Sequence, residues 1–179
     1  VEEKVLEIVL RMERKALELG IDIMNSNPVP GNIEGGITTI EEKSLGCINK
    51  GGSSQIVEVL EYGCAPSKKG LVIMDTPGND VQSITGMIAG GAQVVAFTTG
   101  RGTPVGSLIA PVVKISSNSN TFNKMRDNMD INAGSIIEGE KSIEEVGMEI
   151  LRKIVETANG EKTASEKLNH REFGITRIG

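Results

Sequence analysis

The chain has 179 residues, of which 24% are charged and 38% hydrophobic, so it belongs with ordinary soluble globular chains. Nineteen basic against 24 acidic residues leave a net charge of −5, which argues against a nucleic-acid or anionic-membrane partner. Aromatics are 2% with no Trp, which removes base-stacking platforms, and no apolar run approaches the roughly 20 residues of a membrane helix.

In chain order, Val5, Val9, Met12, Ala16 and Leu19 recur at helical spacing and Gly20 supplies the stop, predicting an amphipathic opening helix. The start at Val1, already inside that pattern and without a secretory signal, is what a segment cut from a longer chain would show. Residues 25–36 are dense in Asn, Pro and Gly and predict a loop. Thr39 followed by Glu42 is a capping-box signature for a helix ending near Gly51 and Gly52. Ser53 then predicts a cap for a short helix through Ile56, Val57 and Leu60 to Gly63.

From Gly70 the pattern changes. The apolar runs 71–74, 93–97 and 112–115 predict three neighbouring parallel strands, with a helix around Ile84, Met87 and Ile88 between the first two. A helix is expected over 119–126. Ser142 and Glu145 predict a second capping box opening a long helix that Asn159-Gly160 closes. Residues 173–178 alternate like a short edge strand. The fold class is therefore α/β: a parallel sheet flanked by helices, with a helical, loop-rich extension over 1–66 and an α/β core over 67–179, packed as one domain.

Open parallel sheets bind ligands beyond the carboxyl ends of their strands. Asp75 to Asp80, Thr98 to Thr103 and Ser116 to Asn118 follow the three strand runs there. In the second loop, Gly100 and Gly102 allow close backbone approach, Arg101 can grip a carboxylate with both nitrogens, and Thr98, Thr99 and Thr103 add hydroxyls. The spacing is neither a dinucleotide fingerprint nor a phosphate loop, so a small organic anion fits best. Asn79 and Asp80 can cap the following helix, or serve a metal or a substrate hydroxyl. Lys114 lies on a strand, where burial would demand a partner that an anion could provide. Lys43 reads by composition as the polar face of a helix. The sole histidine, His170, is more often structural than catalytic when unpaired. Cys47 and Cys64 have no metal-site spacing and read as reduced, small buried hydrophobes of a cytoplasmic protein.

The blocks Asn27 to Asn32, Gly35 to Cys47, Pro77 to Asp80, Phe97 to Pro104, Lys114 to Asn118, Asp130 to Gly134 and Arg171 to Phe173 resemble, in order, the C-terminal part of the altronate/galactarate dehydratase family, which includes sulfolactate sulfo-lyase relatives. The resemblance implies a lyase that removes water from a small anionic hydroxy acid to give a 2-keto-3-deoxy acid. It implies a divalent metal, iron or manganese, whose ligands this chain does not reveal, and a further N-terminal domain of the same protein as partner. Self-association into a homo-oligomer stays open. Carried onto the matched motifs, Lys43, Asp80 and Arg101 are its catalytic set. Asn79, Thr98, Thr99, Gly100, Gly102, Thr103, Lys114 and Asn118 are its substrate-binding set. The segment alone is expected to be inactive. Two alternatives stand beside dehydration: sulfite elimination from sulfolactate, and a non-catalytic substrate-binding or oligomerisation half. Val29 and Ile33 stand where sugar-acid dehydratases usually carry Ser and Lys, which favours sulfolactate.

Overall fold

A computed structural model describes residues 1–21, 28–30, 33 and 37–175. The chain forms two compact units, Val1–Leu60 with Pro66–Asp75, and Glu61–Ala65 with Thr76 onward. Most of the predicted 25–36 loop lies outside the described residues.

The first unit opens with α1 (Glu2–Glu18), acidic in its first turn and basic in its last, as the helix dipole favours. It ends in a Schellman arrangement: Ile21 N–H donates to the Ala16 carbonyl and Gly20 N–H to that of Leu17. The buried face is centred on Ile8 and Ala16, while Val9, Met12 and Leu19 of the expected stripe are exposed. Leu6, Leu10 and Leu17 supply apolar groups on other sides, so spacing alone did not select the face. In α2 (Ile40–Lys50), Thr39 Oγ1 accepts from Glu42 N–H at 3.2 Å, but the Glu42 carboxylate turns to Thr38 instead, accepting from its N–H and hydroxyl.

The helix expected after Ser53 is instead a strand, β1 (Ile56–Leu60), parallel to β2 (Leu71–Met74). Three of its five residues are β-branched, which suits a pleated ladder, and the apolar positions 56, 57 and 60 are compatible with either element. The consequence is topological. Strand β2 pairs with β1 and not with the 95–99 strand, so the three runs do not form one continuous sheet.

The second unit is a three-layer α/β structure. Its elements are α3 (Asp80–Ala89), β3 (Val95–Thr99), β4 (Val112–Ser116), α4 (Ser119–Lys124), β5 (Ile131–Asn132), α5 (Ile143–Ala158) and α6 (Ala164–Lys167). The strands are all parallel in the order β3-β4-β5, and every residue of β4 is buried. One sheet face, with Val95 and Val112, packs on Ile84, Met87 and Ile88 of α3 and on Val105. The other, with Val113, Ile115 and Ile131, packs on Val146 and Ile150 of α5. Ser142 and Glu145 form the predicted capping box. Residues 171–175 form no strand, against the expected edge strand; the remainder of that segment lies outside the described residues. Cys47 and Cys64 are exposed, not buried.

Candidate functional site

The loops that follow β3 and β4 leave the same edge of the parallel sheet. There the chain is tightly tied. Thr99 Oγ1 accepts from Gly102 N–H at 3.0 Å, closing the turn Gly100-Arg101-Gly102. The Gly100 carbonyl accepts from Asn118 Nδ2 at 3.2 Å and from the Thr121 hydroxyl at 2.9 Å. Ser117 N–H donates to the Thr99 carbonyl at 2.9 Å. Asn118 also caps α4, its Oδ1 accepting from Thr121 N–H at 2.8 Å. Gly102 has φ +82°, and a Cβ there would run into Met125 Sδ and meet Thr121 Cγ2 at 3.1 Å. Only glycine satisfies both conditions.

This scaffold presents Arg101 at the surface, and among the described residues no carboxylate or hydrogen-bond acceptor engages its guanidinium. An arginine serving only to brace the fold would be tied to a neighbouring acid. The Thr98 hydroxyl is likewise exposed and unengaged. Thr103 is 3% exposed and its Oγ1 accepts from Val105 N–H at 3.3 Å, so Thr99 and Thr103 both hold backbone in place. Ser116, buried, donates to the Asn118 carbonyl at 2.8 Å.

Lys114 is the outlier of the interior. It is 0% exposed at the centre of β4, in register with Phe97, and its Nζ has no hydrogen-bond partner among the described residues. Burial pushes its pKa below the ordinary lysine range, partly opposed by the charges of Asp130 and Glu172. Asp130 spends both oxygens on backbone, accepting from Lys114 N–H and Ala164 N–H, each at 2.8 Å. Glu172 accepts from Gly106 N–H at 3.0 Å. Burial would raise its pKa, but that hydrogen bond, its own backbone N–H and the charges of His170 and Lys114 hold it below the usual range. His170 Nδ1 is a second buried nitrogen without a partner. Asp130, His170 and Glu172 were not among the predicted site residues, although Asp130 and Glu172 lie inside blocks that carried the family resemblance.

The other predicted residues lie elsewhere. Asn79 caps α3, its Oδ1 accepting from Val81 N–H at 3.1 Å, and Asp80 is the first residue of that helix. Among the described residues neither is hydrogen-bonded to the 98–103 segment, and β2, which their loop follows, is not a strand of the β3-β4-β5 sheet. Lys43 is exposed on α2 in the first unit. Among the described residues no three His, Cys, Asp or Glu side chains gather as a metal site would require, so these residues do not by themselves fit the implied metal.

A sequence model described as D-galactarate/Altronate dehydratase, C-terminal, matches residues 1–179. The chain belongs to this family. Within it, the chain is 45% identical over 146 residues to galactarate dehydratase (L-threo-forming) of Escherichia coli, covering 82% of this chain and 28% of the relative. Altronate dehydratase of the same organism is 44% identical over 153 residues, covering 86% of this chain and 30% of the relative. The beta subunit of (2R)-sulfolactate sulfo-lyase from Chromohalobacter salexigens is 39% identical over 158 residues, covering 88% of this chain and 41% of that subunit. The chain thus spans well under half the length of these dehydratase-family relatives. No described helix is long and apolar enough to cross a membrane.

Proposed function

We propose that this dehydratase-family chain supplies the carboxylate-binding half of a cytoplasmic lyase acting on a small hydroxy acid, with dehydration of a sugar acid as the reaction. The observation that supports it is Arg101, held out by a turn that Thr99 and Asn118 fix, with no acidic partner among the described residues. A planar guanidinium bound to both carboxylate oxygens withdraws charge from the adjacent carbon and so acidifies its C–H. In the elimination a base takes that proton, the C–H electrons form the C=C bond, the bond to the β-hydroxyl breaks, and the leaving oxygen takes up a proton equivalent to the one removed and departs as water. The resulting enol then rearranges to the 2-keto-3-deoxy acid. Thr98 offers a hydroxyl to the bound acid, and the backbone of Gly100 and Gly102 permits close approach. Lys114 completes the binding set if its amine meets the same anion. Asn79 and Asp80, with Lys43, rest on the family motif alone. No step is assigned to a metal.

Sulfite elimination is the second reading. It is favoured by Val29 and Ile33, exposed apolar residues where sugar-acid enzymes usually carry a hydroxyl and a cation, and by the sulfo-lyase relative. The test is anaerobic turnover of galactarate, altronate and sulfolactate by the full-length protein, with product identification. Water loss from a sugar acid supports the first reading, and sulfite release the second. Folded protein that turns over none of the three reduces the chain to a non-catalytic binding or assembly role.

A further inference from the structure

The far end of the Arg101 loop is held by a residue from a distant part of the chain. Gly106 packs so closely on the C-terminal segment that a Cβ on it would stand 2.7 Å from His170 Cβ and 2.8 Å from Ser165 Cβ. Its N–H donates to the Glu172 carboxylate, 66 residues away in sequence. That segment is pinned in turn by His170 N–H on the Ser165 carbonyl and by the Ser165 hydroxyl on the Val112 carbonyl of β4. Two buried nitrogens have no hydrogen-bond partner among the described residues, Lys114 Nζ and His170 Nδ1, and the charges of both side chains act on Glu172.

We infer that Glu172 is a positioning residue for the proposed carboxylate site: its carboxylate fixes the Gly106 end of the 98–106 loop and supplies the opposing charge that orients the buried Lys114 amine. An unpaired ammonium in an apolar interior is costly and tends to lose its proton. The charged groups acting on Lys114 are Asp130, at the entrance to β5, and Glu172, on the C-terminal segment. Phe97, its neighbour on β3, carries no charge. Both carboxylates are held by backbone N–H groups, but only Glu172 is bonded to the loop itself, through Gly106. Its charge, with that of Asp130, opposes the loss of the amine's proton, and its bond to Gly106 couples that charge to the loop that bears Arg101. The assignment rests on the carboxylate-binding reading, and its first readout is independent of turnover.

The experiment follows the Lys114 side chain by its 13Cε and 15Nζ resonances across pH in the full-length protein, without substrate. Glu172→Gln keeps an acceptor for Gly106 N–H but removes the charge. Its Lys114 midpoint should fall, whereas Glu172→Asp should stay near wild type. An unchanged midpoint in Glu172→Gln overturns the inference. If Glu172→Gln does not fold, the Lys114→Met/Glu172→Gln double variant decides. A folded double variant supports charge pairing, and an unfolded one assigns Glu172 to the fold alone. With an active full-length enzyme, Glu172→Gln should raise KM at alkaline pH more than it lowers kcat, and Glu172→Asp should restore the profile. Absence of turnover on every acid would count against the proposed reaction and leave the Lys114 titration as an intact test.

Discussion

Asn118 and Gly100 are joined by a 3.2 Å hydrogen bond from the side-chain amide to the backbone carbonyl, so the residue that caps α4 also fixes the turn carrying Arg101. Asn118→Ala removes both roles and should cost about 0.5–2 kcal/mol in chemical denaturation. Asn118→Asp keeps the cap while repelling the Gly100 carbonyl, so it should retain most of the stability. If the Asp variant is as unstable as the Ala variant, the cap is not the source.

Arg101→Lys keeps the charge and loses the planar fork. Arg101 has no bonded partner among the described residues, so the denaturation midpoint should not move. A charge-assisted contact of about 1.5–3 kcal/mol predicts a loss of roughly ten- to a hundredfold in kcat/KM of the full-length enzyme. Wild-type kinetics, or unfolding, would remove the clamp role.

Gly102→Ala meets two obstacles, the positive φ and the contact with Met125. A loss of more than about 1 kcal/mol is expected from the backbone conformation alone. Adding Met125→Ala should recover the steric part and leave the backbone part. Full recovery in the double variant would show that φ contributes little.

Lys114→Met replaces a buried ammonium by a side chain of similar length and should stabilise the protein by about 1–3 kcal/mol near neutral pH. The sign follows from a folded pKa below the unfolded value of 10.5. In the window between them the unfolded chain binds more protons, so the stability of the wild type rises with pH there and the advantage of Met shrinks. Denaturation at neutral and strongly alkaline pH checks both the gain and its loss.

Glu145 runs the opposite way. Its carboxyl is held below the ordinary 4.5 by the Ser142 N–H and then by the Ser142 hydroxyl. The stabilisation is complete above 4.5 and disappears as pH falls through the lowered folded value. Wild type should therefore exceed Glu145→Gln in stability at neutral pH and converge with it in acid. A constant gap would exclude the carboxylate as its cause.

The elements legible in the sequence were those whose signals are local. The Ser142–Glu145 box, the Asn159-Gly160 stop and the two-sided apolar run of β4 each depend on residues a few positions apart. Strand β1 was missed because five residues with two pairs of adjacent apolar positions fit a helix and a strand equally, and missing it left β2 without its true partner. The Arg101 turn was legible from its glycines and hydroxyls. That Thr99, Thr103 and Asn118 brace backbone was not, because it depends on which carbonyl or N–H lies within reach. Lys114 stood out as a charge on an apolar strand. The groups answering it, Asp130 and Glu172, lie 16 and 58 positions away and are brought near only by the fold.

Strand β4 is buried on both sides and carries one charged residue among its five, and this makes its alignment self-checking. Displacement of the strand by one residue exchanges the two sides, because side chains alternate with period two. Lys114 would then be driven into the packing against Val146 and Ile150, and Val113 would take its place on the opposite face. An all-valine strand could slide with little change in energy. Here the single charged residue makes the displaced alignment far worse than the native one, so the group that makes the strand costly to bury also gives the sheet an unambiguous address.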